Sequence, residues 1–191
     1  IETTVGRLIF NSFLPKEISY VNKTAGKSVL KDLLTQILDK IGPETTAKVA
    51  DEFKRIGFKL ATKSGLTISV FDMIVPGERR EMVKKADETV KKINNQYWKG
   101  WITEEERYNH AIRLWSFLKN DITNKMIEEF SKYPENNIYF MIDSGARGNW
   151  GQITQLCGMK GLVANPSGRT IELPIKSNLK DGFSILEYFI A

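Results

Sequence analysis

Two apolar stripes of helical period, set on either side of one short turn, constrain this chain more than anything else in it. Val83, Ala86, Val90, Ile93 and Tyr97 step by three or four residues. Ala111, Trp115, Leu118, Ile122, Met126 and Phe130 repeat the stepping. Such spacing lays one apolar line along one side of a helix, which must then bury against a partner. Lys99-Gly100 breaks the first stripe, and Thr103 followed by Glu106 has the spacing of a capping box that opens the second. Two stripes joined by a tight turn make a long antiparallel coiled-coil helical hairpin over about residues 76–133, with Pro76 opening the longest pattern and Pro134 closing the second helix. Each helix is expected to span roughly 35–45 Å at 1.5 Å per residue. Trp98 and Trp101 fall at the tip. They either cap the end of the seam or form a docking tip for a partner protein. Arg79-Arg80, Lys84-Lys85 and Lys91-Lys92 read as a solvated charged face, and His110 as a surface histidine beside the seam.

The first third reads as helices of a small core. An apolar start, Ile1 to Pro15, precedes helical patterns over Lys27–Ile41 and Pro43–Thr62. Val29, Leu30, Leu33, Leu34, Ile37, Leu38 and Ile41 line the first; Val49, Phe53, Ile56 and Leu60 line the second. Gly42-Pro43 separates them, since proline suits a helix start, and Gly65 is placed to cap the second helix. Ile68 to Val75 has the β-branched content of a strand or an extended link. The last third is mixed. Asn137–Ile142 and Gln152–Cys157 read as short helices, Asn165-Pro-Ser-Gly168 as a turn, and Thr170–Ile175 as a short strand. Ser184 to Ala191 starts a helix that is expected to run on beyond the sequence. The fold class is therefore mainly α, with short β elements near the C-terminal end.

Chemistry-bearing patterns are few. Arg147 stands between Gly145 and Gly148 in a compact turn. Its planar fork of donors suits phosphate oxygens, and flanking glycines allow a ligand to approach closely. The same residues also read as a surface turn with an exposed arginine. One cysteine, Cys157, excludes an internal disulfide, and with one histidine a Cys/His zinc site is untenable. Nucleotide-binding and hydrolase motifs are missing, and no Asp-x-Asp-x-Asp set gathers carboxylates for magnesium. No apolar run approaches the ~20 residues of a membrane span, so a cytoplasmic protein is expected. With 28 basic and 23 acidic side chains the net charge is +5, which favours acidic partners. The basic residues are dispersed rather than interleaved with aromatics, unlike a nucleic-acid-binding module. A stand-alone helical adaptor that binds proteins through the hairpin is the alternative function class.

The wording of several segments adds a resemblance. Asp143-Ser-Gly-Ala-Arg-Gly148, Gln155-Leu-Cys-Gly-Met-Lys-Gly161, Asn165-Pro-Ser-Gly168 and Leu186-Glu-Tyr-Phe-Ile190 closely resemble the largest-subunit family of bacterial RNA polymerase, the beta-prime subunit. Thr4-Val-Gly-Arg-Leu-Ile-Phe10 resembles that family's entry into its pore domain, Ser64 to Pro76 its link into the funnel, and Glu105-Glu-Arg-Tyr-Asn109 its second rim helix. The resemblance implies a pore segment at 1–63, a funnel with the rim hairpin at 64–145, and at 146–191 an active-centre-proximal loop leading into the bridge helix. It implies a piece of a larger DNA-directed RNA polymerase, a nucleotidyltransferase, whose pore, funnel and rim form the secondary channel for nucleotide entry.

On the same resemblance Arg147 faces the triphosphate. Gln152, Gln155, Met159 and Lys160 belong to the loop supporting the bridge helix, and Tyr188 and Phe189 to its hinge. Tyr108, Asn109, His110 and Arg113 fall on rim positions where Gre-type and DksA-type regulators dock. In some relatives the alarmone ppGpp binds there with DksA; His110 and Arg113 stand where those relatives carry lysine and aspartate. Implied partners are the beta, alpha, omega and sigma subunits, nucleoside triphosphates, DNA and RNA, with no membrane. The three-aspartate loop that holds the catalytic magnesium and the mobile trigger segment lie outside this chain. Alone it is expected to have no cofactor, no metal site, no catalytic residue and no polymerase activity.

Overall fold

Eight α-helices and a few tight turns account for the regular structure of this chain, and no β-strand forms. The computed structural model describes all 191 residues. They divide into two compact units, residues 1–68 with 140–147, and residues 69–139 with 148–191.

The first unit contains α1 (Val5–Asn11), α2 (Lys27–Lys40) and α3 (Pro43–Ser64), together with the end of α6 (Asn137–Asp143). Pro43 sits in the first turn of α3, and Gly65 ends it in the left-handed conformation (φ 59°). Both follow from the residue types that the sequence supplies there. Leu33 and Ile37 of α2 and Val49 of α3 bury with Ile18 and Val21. Phe10 of α1 stacks on Phe53 at 5.1 Å between ring centres. The apolar stripes are only partly covered within the unit. Leu38 and Leu60 remain about half exposed.

In the second unit, α4 (Arg79–Trp98) and α5 (Glu104–Ser131) pack along one another and form the hairpin. The five-residue connection forces them antiparallel. α4 ends in a Schellman motif: Gly100 takes φ 73°, its N–H donates to the Tyr97 carbonyl at 2.8 Å, and the Trp101 N–H donates to Gln96 at 3.0 Å. Thr103 and Glu106 then close the expected capping box. Pro76 does not open the helix. Pro76 and Gly77 lie in a preceding turn that the Arg79 N–H closes on the Pro76 carbonyl at 3.1 Å, so α4 is shorter than expected, with 20 residues against 28 in α5. At 1.5 Å per residue they span about 30 and 42 Å.

The stripe of α5 is the spine of the unit. Ala111, Trp115, Leu118, Ile122, Met126 and Phe130 are all buried, whereas Ala86 is the buried apolar residue of α4. The short C-terminal elements supply the remaining cover. Leu118→Asp should therefore destabilise this unit by about 3 kcal/mol or more, because it buries an unpaired charge, and Val90→Asp by less, because Val90 is half-buried. Thermal unfolding checks this; unchanged midpoints for both would mean that the seam is misassigned.

Of three expectations outside the long helices, one is overturned and two are refined. Ile68 to Val75 is the extended link and not the strand: Ser69 and Asp72 cap a single 3-10 turn over Val70–Asp72, flanked by extended residues. Thr170–Ile175 forms no strand either. It meets the preceding arm at two isolated antiparallel bridges, Gly161 with Ile175 and Ala164 with Thr170. Two residues on one arm there oppose four on the other, and Pro174 lacks an N–H, so no ladder can run between the bridges. The short β elements are thus reduced to paired turns. Finally, the helix expected over Gln152–Cys157 is present, as α7 (Trp150–Ile153) running directly into a π-turn over Thr154–Gly158. The last helix, α8 (Ile185–Ile190), starts on a Ser184–Glu187 capping box.

Candidate functional site

In the first unit the turn that carries Arg147 is the end of α6. Gly145 terminates the helix at φ 72°, its N–H donating to Ile142 at 3.0 Å, and the Arg147 N–H donates to Met141 at 3.2 Å. Gly148 also takes a positive φ, 81°. Glycine meets this requirement at little cost. The Lys27 N–H, in the first turn of α2, donates to the Ser144 carbonyl at 3.3 Å. The Arg147 side chain is exposed and has no hydrogen bond or ion pair within the chain, so its guanidinium is open to a ligand.

In the second unit the π-turn and the segment 176–187 form one polar lock. A helix end leaves its last four carbonyls unpaired. Here all four find partners. Gln155 accepts from the Leu179 N–H and Leu156 from the Lys180 N–H, both at 3.0 Å; Cys157 accepts from the Asn178 side chain at 2.9 Å; Gly158 accepts from Arg79 Nε. Arg79 also donates to the Lys176 carbonyl at 2.7 Å and pairs with Asp181 at 3.0 Å. Burial pulls the Arg79 guanidinium below its ordinary pKa, and Asp181 partly restores it. The sequence reading placed Arg79 on a solvated face. It is 7% exposed, whereas the neighbouring Arg80 points into solvent. Gly158 lies so close to α5 that a Cβ there would meet Ile122 and Met126 at 2.8 Å.

The residues expected to support and hinge a following helix separate in this unit. Gln152 closes the capping box of α7 with Asn149; Met159 is fully buried; Gln155 holds Leu179 through its carbonyl. Lys160 reaches α8, its Nζ donating to the Ala191 carbonyl at 3.2 Å and lying over the Phe183 ring. Tyr188 and Phe189 are exposed and touch edge to face, 6.0 Å between ring centres. Sequence reasoning missed Glu187, which pins the start of α8. It accepts from Lys176 N–H, Ser177 N–H and Oγ, and Ser184 N–H and Oγ, all within 3.0 Å. Burial pushes its carboxyl up, but the bonds from Ser184 and Ser177 outweigh it and hold the pKa down to about 2. The Ser–x–x–Glu spacing was the available signal.

Of the expected docking residues, Asn109, His110 and Arg113 are exposed on α5, with Asn109 and Arg113 one turn apart on the same face. Tyr108 is half-buried and engaged: its hydroxyl donates to the Thr170 carbonyl at 2.9 Å and Arg169 covers its ring. Arg107 beside it bridges Glu104 and Glu172, whose carboxylates raise its pKa. Phe117, one turn beyond Arg113, is 67% exposed and extends that face with an aromatic ring. The tip tryptophans do not cap the seam. Trp98 and Trp101 are 80% and 69% exposed, and Lys99 lies over the Trp101 ring.

No group of three or more His, Cys, Asp or Glu side chains converges to hold a metal ion. Burial pushes the Cys157 thiol up to about 11, which makes it a poor nucleophile. No helix is long and apolar enough to cross a membrane.

The chain matches two family models, RNA polymerase Rpb1, domain 3, over residues 1–73, and RNA polymerase Rpb1, domain 4, over residues 102–186. It is 46% identical over 191 residues to the DNA-directed RNA polymerase subunit beta' of Pelotomaculum thermopropionicum, covering all of this chain and 16% of that one. It is 48% identical over 193 residues to the subunit beta' of Borrelia turicatae, again covering all of this chain and 14% of the relative. For the subunit beta' of Thermosipho africanus the values are 45% over 191 residues and 12% of the relative. The chain thus spans 16% or less of the length of these three relatives. Its two domain matches and its end-to-end similarity place it in the bacterial RNA polymerase beta' subunit family, where it corresponds to domains 3 and 4.

Proposed function

We propose that this chain is the part of a DNA-directed RNA polymerase that walls and rims the secondary channel, through which nucleotides enter and regulators dock during transcription. The observation that carries the reading is similarity to subunit beta' over all 191 residues at 46% identity. Residues 1–63 are the pore segment, 64–145 the funnel, and 146–191 the approach to the bridge helix. The α4–α5 hairpin supplies the rim, and its exposed tryptophan tip and the Asn109–Arg113–Phe117 face fit a surface that docks proteins. Arg147 faces the triphosphate. Gln152, Gln155, Met159 and Lys160, in the segment before α8, support the start of the bridge helix, and Tyr188 and Phe189 form its hinge.

The chain has no catalytic role alone. Magnesium and its carboxylates belong to the rest of the subunit. The remaining partners are the beta, alpha, omega and sigma subunits, nucleoside triphosphates, DNA and RNA, in a cytoplasmic enzyme.

Regulator docking is tested on the assembled polymerase. Changing Asn109 and Arg113 together to alanine should weaken binding of a Gre-type factor about tenfold, the size of a lost interface contact near 1.4 kcal/mol, and leave thermal unfolding unchanged. Both side chains are exposed, so the fold does not depend on them. Equal affinities for the parent and altered enzymes would remove this face from the docking surface.

A further inference from the structure

We propose that the first turn of α2 positions Arg147, with the Lys27 backbone N–H as the positioning group. The inference rests on the reading of Arg147 as the residue that faces the triphosphate. Because the Arg147 side chain has no partner within the chain, its aim is set by the backbone that carries it. That backbone is held mostly by α6 itself: Ser144 N–H donates to Phe140, Gly145 N–H to Ile142 and Arg147 N–H to Met141. One bond leaves this run and ties it to another helix, the 3.3 Å bond from Lys27 N–H to the Ser144 carbonyl.

Gly145 lies directly against the same residue. A Cβ there would come within 3.2 Å of Lys27 Cβ, and the backbone stands at φ +72°, where a side chain is strained in any case. The loop is thus seated on Lys27 by one hydrogen bond and one close contact. Next to that seat an open groove of about 680 Å³, walled by Lys27, Lys31 and residues 144–146, leaves the loop uncovered. Small changes at the seat therefore pass to Arg147 instead of being absorbed by surrounding packing. A displacement near 1 Å of a group that orients a substrate is enough to cost a large factor.

The bond can be deleted without rebuilding the helix. Lys27 is the first residue of α2, where proline is tolerated, and Gly26 before it is extended at φ −75°, ψ 178°, as a residue preceding proline must be. In the assembled polymerase, Lys27→Pro should raise the apparent nucleotide KM roughly 3- to 30-fold in single-nucleotide addition, with a smaller change in maximal rate. In an Arg147→Ala background it should add nothing, because both changes act through one side chain.

Normal nucleotide dependence in Lys27→Pro, with Arg147→Ala impaired, overturns this inference and leaves the reading of Arg147 standing. An undiminished Lys27→Pro effect in the Arg147→Ala background overturns it too. So does an equal KM rise in Lys27→Ala, which keeps the N–H. Normal dependence in Arg147→Ala overturns the reading of Arg147 and this inference together. If the proline variant fails to assemble, Gly145→Ala takes its place. It is expected to raise KM alone and not in the Arg147→Ala background, and a normal KM overturns the inference.

Discussion

Arg79→Ala is expected to destabilise the second unit by about 3–5 kcal/mol, while Arg80→Ala, at the adjacent position, costs under about 0.5 kcal/mol. The two arginines look alike in sequence and differ in burial. Arg79 satisfies the last carbonyl of the π-turn, the Lys176 carbonyl and Asp181 at once. Hydrogen bonds to a charged group are worth about 1.5–3 kcal/mol each, and removing the donor also strands a buried acceptor. The Asp181 side chain is 42% exposed, so water screens the ion pair, and the carbonyl bonds carry most of the effect. Arg79→Lys should recover only part, since one ammonium cannot reproduce the planar fork. All four tryptophans, Trp98, Trp101, Trp115 and Trp150, lie in this unit, so unfolding followed by tryptophan fluorescence reports on it alone. Equal unfolding midpoints for the Arg79 and Arg80 variants would contradict the polar lock.

The parts of the fold that were legible in the sequence are those set by local physics. The stripe from Ala111 to Phe130 fixes α5 because period and burial coincide at every position. Thr103 with Glu106, Pro43 and Gly65 mark helix ends because their preferences act within one turn of chain. What was illegible depends on partners far away in sequence. The acceptors of Arg79 lie 79, 97 and 102 residues downstream, so a charge run gave no sign that one of its members is buried. The isoleucines of Thr170–Ile175 suggested a strand, but its four residues between the two bridges face only two on the arm that starts at Gly161, so the pairing cannot continue.

The tip tryptophans failed for a related reason. Their apolar area argued for burial on the seam, but Trp98 stands one residue past the stripe that ends at Tyr97, Trp101 follows the turn at Gly100, and both rings are exposed. At Arg147 the glycines announced the backbone shape correctly. The ligand that such an exposed guanidinium meets comes from resemblance to a family, because geometry alone gives only an open, unpaired donor set.

That donor set is where the account is most directly tested. A guanidinium near a triphosphate stabilises its charge and orients it for in-line attack. In elongation complexes built with the full subunit, Arg147→Ala should reduce single-nucleotide addition at limiting substrate by about 10- to 1000-fold, the usual range for a lost charged contact near a reacting phosphate. Arg147→Lys should recover part, because lysine keeps the charge and loses the two-point geometry. The deciding measurement is the rate of one nucleotide addition as a function of nucleotide concentration, by rapid quench. The account predicts a strong loss in the alanine variant and an intermediate lysine variant. A normal rate with normal nucleotide dependence in Arg147→Ala would contradict it, and would leave Arg147 as an exposed turn residue with no part in the substrate site.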